Sequence, residues 1–236
     1  MAERKIYTTR LERIEDHTPS VKSFFLRLPP DQKFLFAAGQ FLSIHLKKHG
    51  IAIRKPYSIA SSPADPTLLE LCVKRVEGGY VTNELFNYEI GREIPIDGPD
   101  GVFTLKNSLD SDLYFIGAGT GIAPLRSMIL SLFSDHFERP VFLLFGVRKE
   151  NEILYEKEFR EMENQHPNFH FVPTISRPEK WAGEKGYVQE HLEHLVQKPD
   201  NKKFFICGLN PMVTAVREKL KTLGVDRKAI HYEKYV

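Results

Sequence analysis

The chain has only two cysteines, Cys72 and Cys207, far apart in sequence. A disulfide framework is not expected, and reduced thiols in a cytoplasmic setting are. Charge of one sign is also missing: 33 Lys and Arg stand against 31 Asp and Glu. No basic excess is ready for phosphates, which argues against nucleic acid as the main partner. No apolar run approaches the roughly 20 residues of a membrane-spanning helix, so no membrane span is expected. The opening segment MAERKIYTTR lacks the apolar stretch of a secretory signal. Internal repeats and low-complexity tracts are absent too. What remains is 236 residues, 42% of them hydrophobic, enough for one large domain or two ordinary ones with packed cores.

The two halves differ in texture. In the first, short mixed runs at Lys5–Arg13, Val21–Leu28, Gln40–Leu46, Arg54–Ala60 and Leu68–Val76 read as strands separated by turn residues. A brief helix is expected over Tyr80–Asn87. Strands are expected at Ile94–Ile96 and Val102–Leu105, flanking a turn at Gly98-Pro99-Asp100-Gly101. This pattern predicts a closed antiparallel barrel. From residue 108 onward, apolar strands alternate with helical patterns. The pairs are 113–116 with 122–133, 141–145 with 155–164, 169–175 with 188–196, and 204–207 with 212–223, before a last strand at 229–232. Such alternation predicts an α/β fold with a doubly wound parallel sheet. Two domains are therefore expected, 1–107 and 108–236.

Arg54-Lys55-Pro56-Tyr57-Ser58 places a guanidinium, an aromatic ring and a hydroxyl within five residues of one strand. A flavin dinucleotide asks for these groups: an aromatic face and a donor for the ring, an arginine fork for the pyrophosphate. Strand alternation puts Arg54 and Ser58 on one face and Tyr57 on the other, so a local bend at Pro56 is expected. A solvent-exposed strand with an ordinary tyrosine is the plainer reading. Cys72-Val73-Lys74 lies about a strand later, and Gly78-Gly79-Tyr80-Val81-Thr82-Asn83 opens the short helix. Glycines before a helix N-terminus let amides approach an anion, and Thr82 adds a hydroxyl; a β-turn with a helix cap is again the plainer alternative.

In the second half, Leu113–Ile116 runs into Gly117-Ala118-Gly119-Thr120-Gly121-Ile122-Ala123-Pro124. A glycine-rich turn from strand to helix offers amides and the positive end of the helix dipole to a pyrophosphate. The spacing departs from the usual Gly-x-Gly-x-x-Gly. Gly146-Val147-Arg148, Ser176-Arg177, Lys185-Gly186-Tyr187, Cys207-Gly208 and Pro211-Met212 sit where the other strands end or the next helix begins.

In order and motif these segments resemble the ferredoxin–NADP reductase family over nearly the whole chain. The resemblance implies an FAD-binding barrel followed by an NAD(P)-binding domain. It implies that Tyr57 packs on the isoalloxazine, Ser58 hydrogen-bonds near N5 and Arg54 holds the pyrophosphate. Pro56, Cys72, Val73, Lys74, Gly78, Gly79, Val81 and Thr82 complete the flavin set. Gly119, Thr120, Gly121, Ile122, Ala123, Pro124, Arg148, Gly208, Pro211 and Met212 belong by the same resemblance to the nicotinamide set. Ser176, Arg177, Lys185 and Tyr187 resemble the grip on the ribose 2′-phosphate of NADPH; Trp181–Val188 also resembles NADH-using relatives, and the charges there also read as solvated loop residues. Cys207 lies beside nicotinamide C4 in the family, yet nothing in the sequence marks it as a nucleophile and packing is expected. Glu233 resembles a carboxylate that relays protons. Tyr235 resembles an aromatic that covers the flavin, although Val236 follows it.

The implied reaction is hydride transfer from NADPH, or NADH, to FAD, then electron delivery to a separate carrier: a ferredoxin, a flavodoxin or an oxygenase component. Two cysteines cannot supply the four ligands of a fused [2Fe–2S] cluster. Reduction of free flavin, an NADH-dependent oxygenase reductase, and a non-catalytic subunit of a larger complex are the competing readings. A monomer is expected.

Overall fold

The structure, a computed structural model, describes residues 4–106 and 108–235. The chain forms two compact units: Met1–Thr104 with Arg126–Asp135, and Leu105–Leu125 with His136–Val236.

The first unit contains β1 (Ile6–Thr18), β2 (Val21–Arg27), β3 (Phe41–Lys48), β4 (Ile51–Ser58), β5 (Leu68–Lys74), the short helix α1 (Tyr80–Phe86) and β6 (Glu93–Asp100). Its sheet runs β4-β3-β6-β1-β2-β5, and an antiparallel bridge between Ile59 and Leu71 joins the end of β4 to β5. That bridge closes the sheet into the antiparallel barrel that strand spacing predicts. Leu11, Phe24, Phe34, Leu42, Ile44 and Ile96 fill it, each at most 1% exposed.

Three local expectations fail here. The expected turn at 98–101 is the end of a strand: β6 continues through Gly98 and Pro99 to Asp100, which pairs with Phe41. A register shift between Phe41 and Ser43 absorbs these residues as a bulge, and a proline there needs no ladder acceptor. Val102–Leu105 is not a strand, and Val102 is 97% exposed. The expected bend at Pro56 is also absent. β4 pairs with β3 in unbroken register from Ile51↔Lys48 to Ser58↔Phe41, with Pro56 opposite Ser43.

The second unit begins with β7 (Asp112–Ala118) and the first turn of α2 (Ile122–Ser134). It continues with β8 (Val141–Val147), α3 (Glu156–Gln165), β9 (Phe169–Ile175), β10 (Glu184–Lys185), α4 (Leu192–Leu195), β11 (Lys202–Leu209), α5 (Asn210–Thr222) and β12 (Ile230–Tyr235). All pairings are parallel, in the order β10-β9-β8-β7-β11-β12. The first strand of this sheet lies inside it, and the chain winds outward to one side, then returns to the other. The order therefore reverses between β7 and β11, which is where doubly wound sheets take ligands. Both sheet faces are apolar, as buried parallel strands require. Tyr114 stacks on Phe142 at 4.7 Å on one face, and Phe115 stacks on Phe205 at 5.4 Å on the other.

The expected helix 188–196 is broken. Glu190 folds back to accept from the Tyr187 amide at 3.1 Å, closing a 3-10 turn before the single-turn α4. β10 has no counterpart in the sequence reading; two exposed residues carry no periodicity, and only pairing with β9 defines them.

Candidate functional site

In the first unit the candidate residues lie on β4, on the end of β5 and on the turn that opens α1. Regular alternation separates β4 into two faces. Arg54 opposes His45 and shares a face with Pro56 and Ser58; Tyr57 opposes Leu42 and shares a face with Lys55.

Arg54 is held in place by two carboxylates. Its Nε and Nη2 donate to the two oxygens of Asp97 at 2.7 and 2.6 Å, and Nη2 also donates to Asp100 at 2.8 Å. Arg4 and His45 reach the same Asp97, at 3.2 and 2.6 Å. Asp97 is 2% exposed, and the Arg54 fork, with His45 behind it, holds its carboxyl well below the usual carboxylate range. Lys55 is exposed and has no carboxylate within ion-pair distance among the described residues. Strand alternation gives it the face it shares with Tyr57.

Tyr57 is packed against the barrel core, and burial pushes its phenol up to about 12. Its hydroxyl is buried with no hydrogen-bond partner among the described residues. A buried orphan hydroxyl costs about 1–3 kcal/mol, so it marks a place where a polar ligand atom fits. Ser58, at the end of β4, is 8% exposed.

Cys72 and Val73 are buried in β5 while Lys74 is exposed at its end, beside the turn that leads into α1. In that turn Gly78 has φ +70° and open space around it. Thr82 does not present its hydroxyl outward. Its Oγ1 accepts from the Val76 amide at 3.0 Å and stands 3.4 Å from the Gly79 carbonyl, so it braces the turn from within. The first-turn amides of α1, Val81 among them, have no intrahelical acceptors.

In the second unit Gly117–Gly121 follows β7 at the reversal point. Gly121 is required by close approach: a Cβ there would lie 2.3 Å from the Cys207 carbonyl oxygen and 2.8 Å from Gly208 Cα. The turn thus packs directly on the end of β11 and leaves Gly119, with φ +55°, facing open space. Ile122 and Ala123 are buried as α2 begins, and Pro124 follows in its first turn. Cys207 is fully buried; burial first, then the Glu233 charge, pushes its thiol well above the ordinary value. An activated thiol needs the opposite shift. Glu233 lies beside Cys207 across the β11–β12 ladder, and the Tyr235 side chain hydrogen-bonds the same sulfur. Pro211 and Met212 open α5, with Met212 Cε against Gly208.

Farther along the carboxyl edge, the Ser176 amide donates to Val147 O at 3.0 Å and the Arg177 amide to Arg148 O at 2.9 Å. Lys185 pairs with Ile175, and the Gly186 amide donates to Ile175 O. These bonds gather Arg148, Ser176, Arg177, Lys185 and Tyr187 at the ends of β8, β9 and β10. None of the three cations has an ion-pair partner among the described residues, whereas neighbouring Lys149 is neutralised by Glu179 at 2.9 Å. Unpaired cations and two hydroxyls at neighbouring strand ends suit a phosphate dianion.

Residues 8–105 match the family model described as an oxidoreductase FAD-binding domain, and residues 115–218 the oxidoreductase NAD-binding domain. The chain is 33% identical over 243 residues to ferredoxin–NADP reductase B of Sorangium cellulosum, covering 100% of both chains. It is 29% identical to the glycine betaine monooxygenase reductase subunit of Pseudomonas aeruginosa, over 97% of this chain but only 64% of that subunit. Among solved structures it is similar to the Amycolatopsis cytochrome P450 reductase GcoB, with TM-score 0.89 and 28% identity, over 98% of this chain and 69% of that one. The residues present fit a flavin on the first unit and a nicotinamide dinucleotide on the second, and the chain belongs to the ferredoxin–NADP reductase family of FAD- and NAD(P)-binding oxidoreductases.

Proposed function

We propose that the chain oxidises NADPH and delivers the electrons to a separate carrier of ferredoxin type, with flavodoxin as a carrier of the same class. FAD, when bound, supplies the chemistry: hydride acceptance from a nicotinamide and release of electrons one at a time. The protein supplies position and charge. Residues 1–107 are assigned to the flavin and 108–236 to the nicotinamide nucleotide. Tyr57 contributes an aromatic face and a hydroxyl in need of a partner; Ser58 is assigned to the donor near flavin N5. Arg54, fixed at the barrel edge by Asp97 and Asp100 and still 40% exposed, is assigned to the pyrophosphate together with the amides around Gly78, Gly79 and Val81. Glu233 is assigned to proton relay, while Tyr235 is turned to Cys207. The molecule is taken to act as a cytoplasmic monomer.

The observation that carries the NADPH assignment is the unpaired cation set Arg148, Arg177 and Lys185, beside Ser176 and Tyr187. NADH has no 2′-phosphate for it to meet. An oxygenase component is the second reading of the acceptor, supported by the relative named as a monooxygenase reductase subunit.

Anaerobic stopped-flow mixing of the purified yellow protein with each nucleotide tests this. Fast bleaching with NADPH and slow bleaching with NADH support the assignment. The reverse order refutes the phosphate grip, and a colourless protein refutes a tightly held flavin.

A further inference from the structure

We propose that Glu184, His191 and His194 form a binding site for a divalent cation of the Zn2+ class on the second unit. The site needs nothing from the proposed reaction. Their ligand atoms all lie within 4.8 Å of one another. Glu184 comes from β10, His191 stands at the start of α4, and His194 sits one turn later, so two imidazoles and a carboxylate converge from two elements.

The hydrogen bonds around His191 fix which nitrogen is offered. His191 is 7% exposed, and its Nε2 lies 2.9 Å from Thr174 Oγ1. The Thr174 hydroxyl has one proton, which it donates to the Gly186 carbonyl at 3.0 Å. A carbonyl only accepts, so Thr174 Oγ1 in turn accepts from His191 Nε2–H. The remaining nitrogen, Nδ1, then points its lone pair at Glu184 Oε2, 3.2 Å away. Two acceptors face each other across that gap, and only a proton or a cation between them resolves it.

A cation is the better match for three reasons. A metal-bound histidine characteristically donates its other N–H to a neighbouring oxygen, which is what Thr174 accepts here. The exposed His194 ring supplies a second nitrogen on the same side, 5.8 Å from the His191 ring centre to centre. Zinc–nitrogen bonds of about 2.0–2.1 Å place ligand atoms about 3.4 Å apart in a tetrahedron, so only the exposed Glu184 and His194 side chains need turn inward. Two imidazoles with one carboxylate suit Zn2+, Ni2+ or Cu2+, and do not suit Mg2+ or Ca2+, which prefer all-oxygen shells. Water completes the fourth position. A bound ion ties β10 to α4 and, through Thr174, holds the Gly186 carbonyl.

The test uses the FAD-loaded protein, prepared without a histidine tag and freed of metal with a chelator. It is titrated with ZnCl2 by calorimetry, and its metal content is measured after gel filtration. One equivalent is expected to bind in the micromolar range or tighter. His194→Ala is expected to weaken that affinity by at least about tenfold, and Glu184→Ala likewise. Both side chains are exposed, so neither substitution is expected to lower the urea midpoint of the metal-free protein. Zn2+ raises the midpoint of the parent chain and not that of His194→Ala. No saturable binding up to ~1 mM Zn2+ overturns the proposal and leaves a proton in the gap. Equal affinity in the parent and His194→Ala overturns it too, because the bound ion then sits on other histidines.

Discussion

Gly121→Ala is the sharpest probe of how the nucleotide end of the second unit is built. A methyl at this position lies 2.3 Å from Cys207 O, 2.6 Å from Cys207 C and 2.8 Å from Gly208 Cα, against ordinary contacts of 3.4–4 Å. All three atoms are backbone, so no rotamer change relieves the overlap. The start of α2 and the end of β11 must move apart by about an ångström, which places the cost near the upper end of the 1–3 kcal/mol typical of overpacking. Reduced freedom of the unfolded chain offsets up to about 1 kcal/mol, leaving a loss of about 2 kcal/mol. The protein has one tryptophan, Trp181, and it lies in the second unit, so its fluorescence in urea reports on that unit. With a urea slope of about 2 kcal/mol/M, the midpoint is expected to fall by about 1 M. Because the displaced ends belong to the reversal point of the sheet, KM for NADPH is expected to rise at least about tenfold. Gly119→Ala is the control. It has φ +55° and no atom within 4 Å, so it is expected to lose only about 1 kcal/mol, from the left-handed conformation alone. Equal midpoints for Gly121→Ala and the parent would refute the close packing of this turn on β11.

Three further outcomes follow from the same geometry. Arg177→Ala is expected to lower kcat/KM for NADPH by about 10–30-fold, about 1.5–2 kcal/mol for one exposed charged hydrogen bond, while NADH changes by less than about twofold; equal losses for both nucleotides in steady-state assays would remove Arg177 from the 2′-phosphate. Tyr57→Phe deletes the buried orphan hydroxyl, so the flavin-free protein is expected to gain about 1 kcal/mol in urea unfolding while FAD dissociation, followed by fluorescence, speeds up; slower or unchanged FAD release would show that the hydroxyl meets no ligand atom. Asp97 has a lowered carboxyl, so its ion pairs contribute stability that is full above about pH 4 and is lost as pH falls from there towards its own value. The stability difference between the parent and Asp97→Asn is therefore expected to shrink between about pH 4 and 2, and a difference that grows on acidification would contradict the Arg54–Asp97 pairing.

Two kinds of pattern made much of this protein legible from its sequence. Period-two strands with turn residues between them, then strands alternating with helical stretches, identify the antiparallel barrel and the doubly wound sheet, because hydrophobic periodicity is set by local backbone geometry. Contiguous motifs such as Gly117–Pro124 identify the dinucleotide turn for the same reason: the amides, the helix start and the glycines are neighbours in the chain. What depended on distant partners was not legible. The Gly98-Pro99 pair reads as a turn and is a strand only because Phe41 pairs beyond it. Arg54 reads as a pyrophosphate ligand, and only the approach of β6 shows that Asp97 and Asp100 fix its guanidinium. Thr82 reads as a ligand and braces its own turn. Glu184, His191 and His194 carry no recognisable spacing, and β9 with its Thr174 hydroxyl brings them together. Local periodicity and chain-adjacent motifs thus determined the fold class and the cofactor turns, whereas charge pairing and tautomer, which depend on atoms brought together across strands, were decided by the tertiary structure.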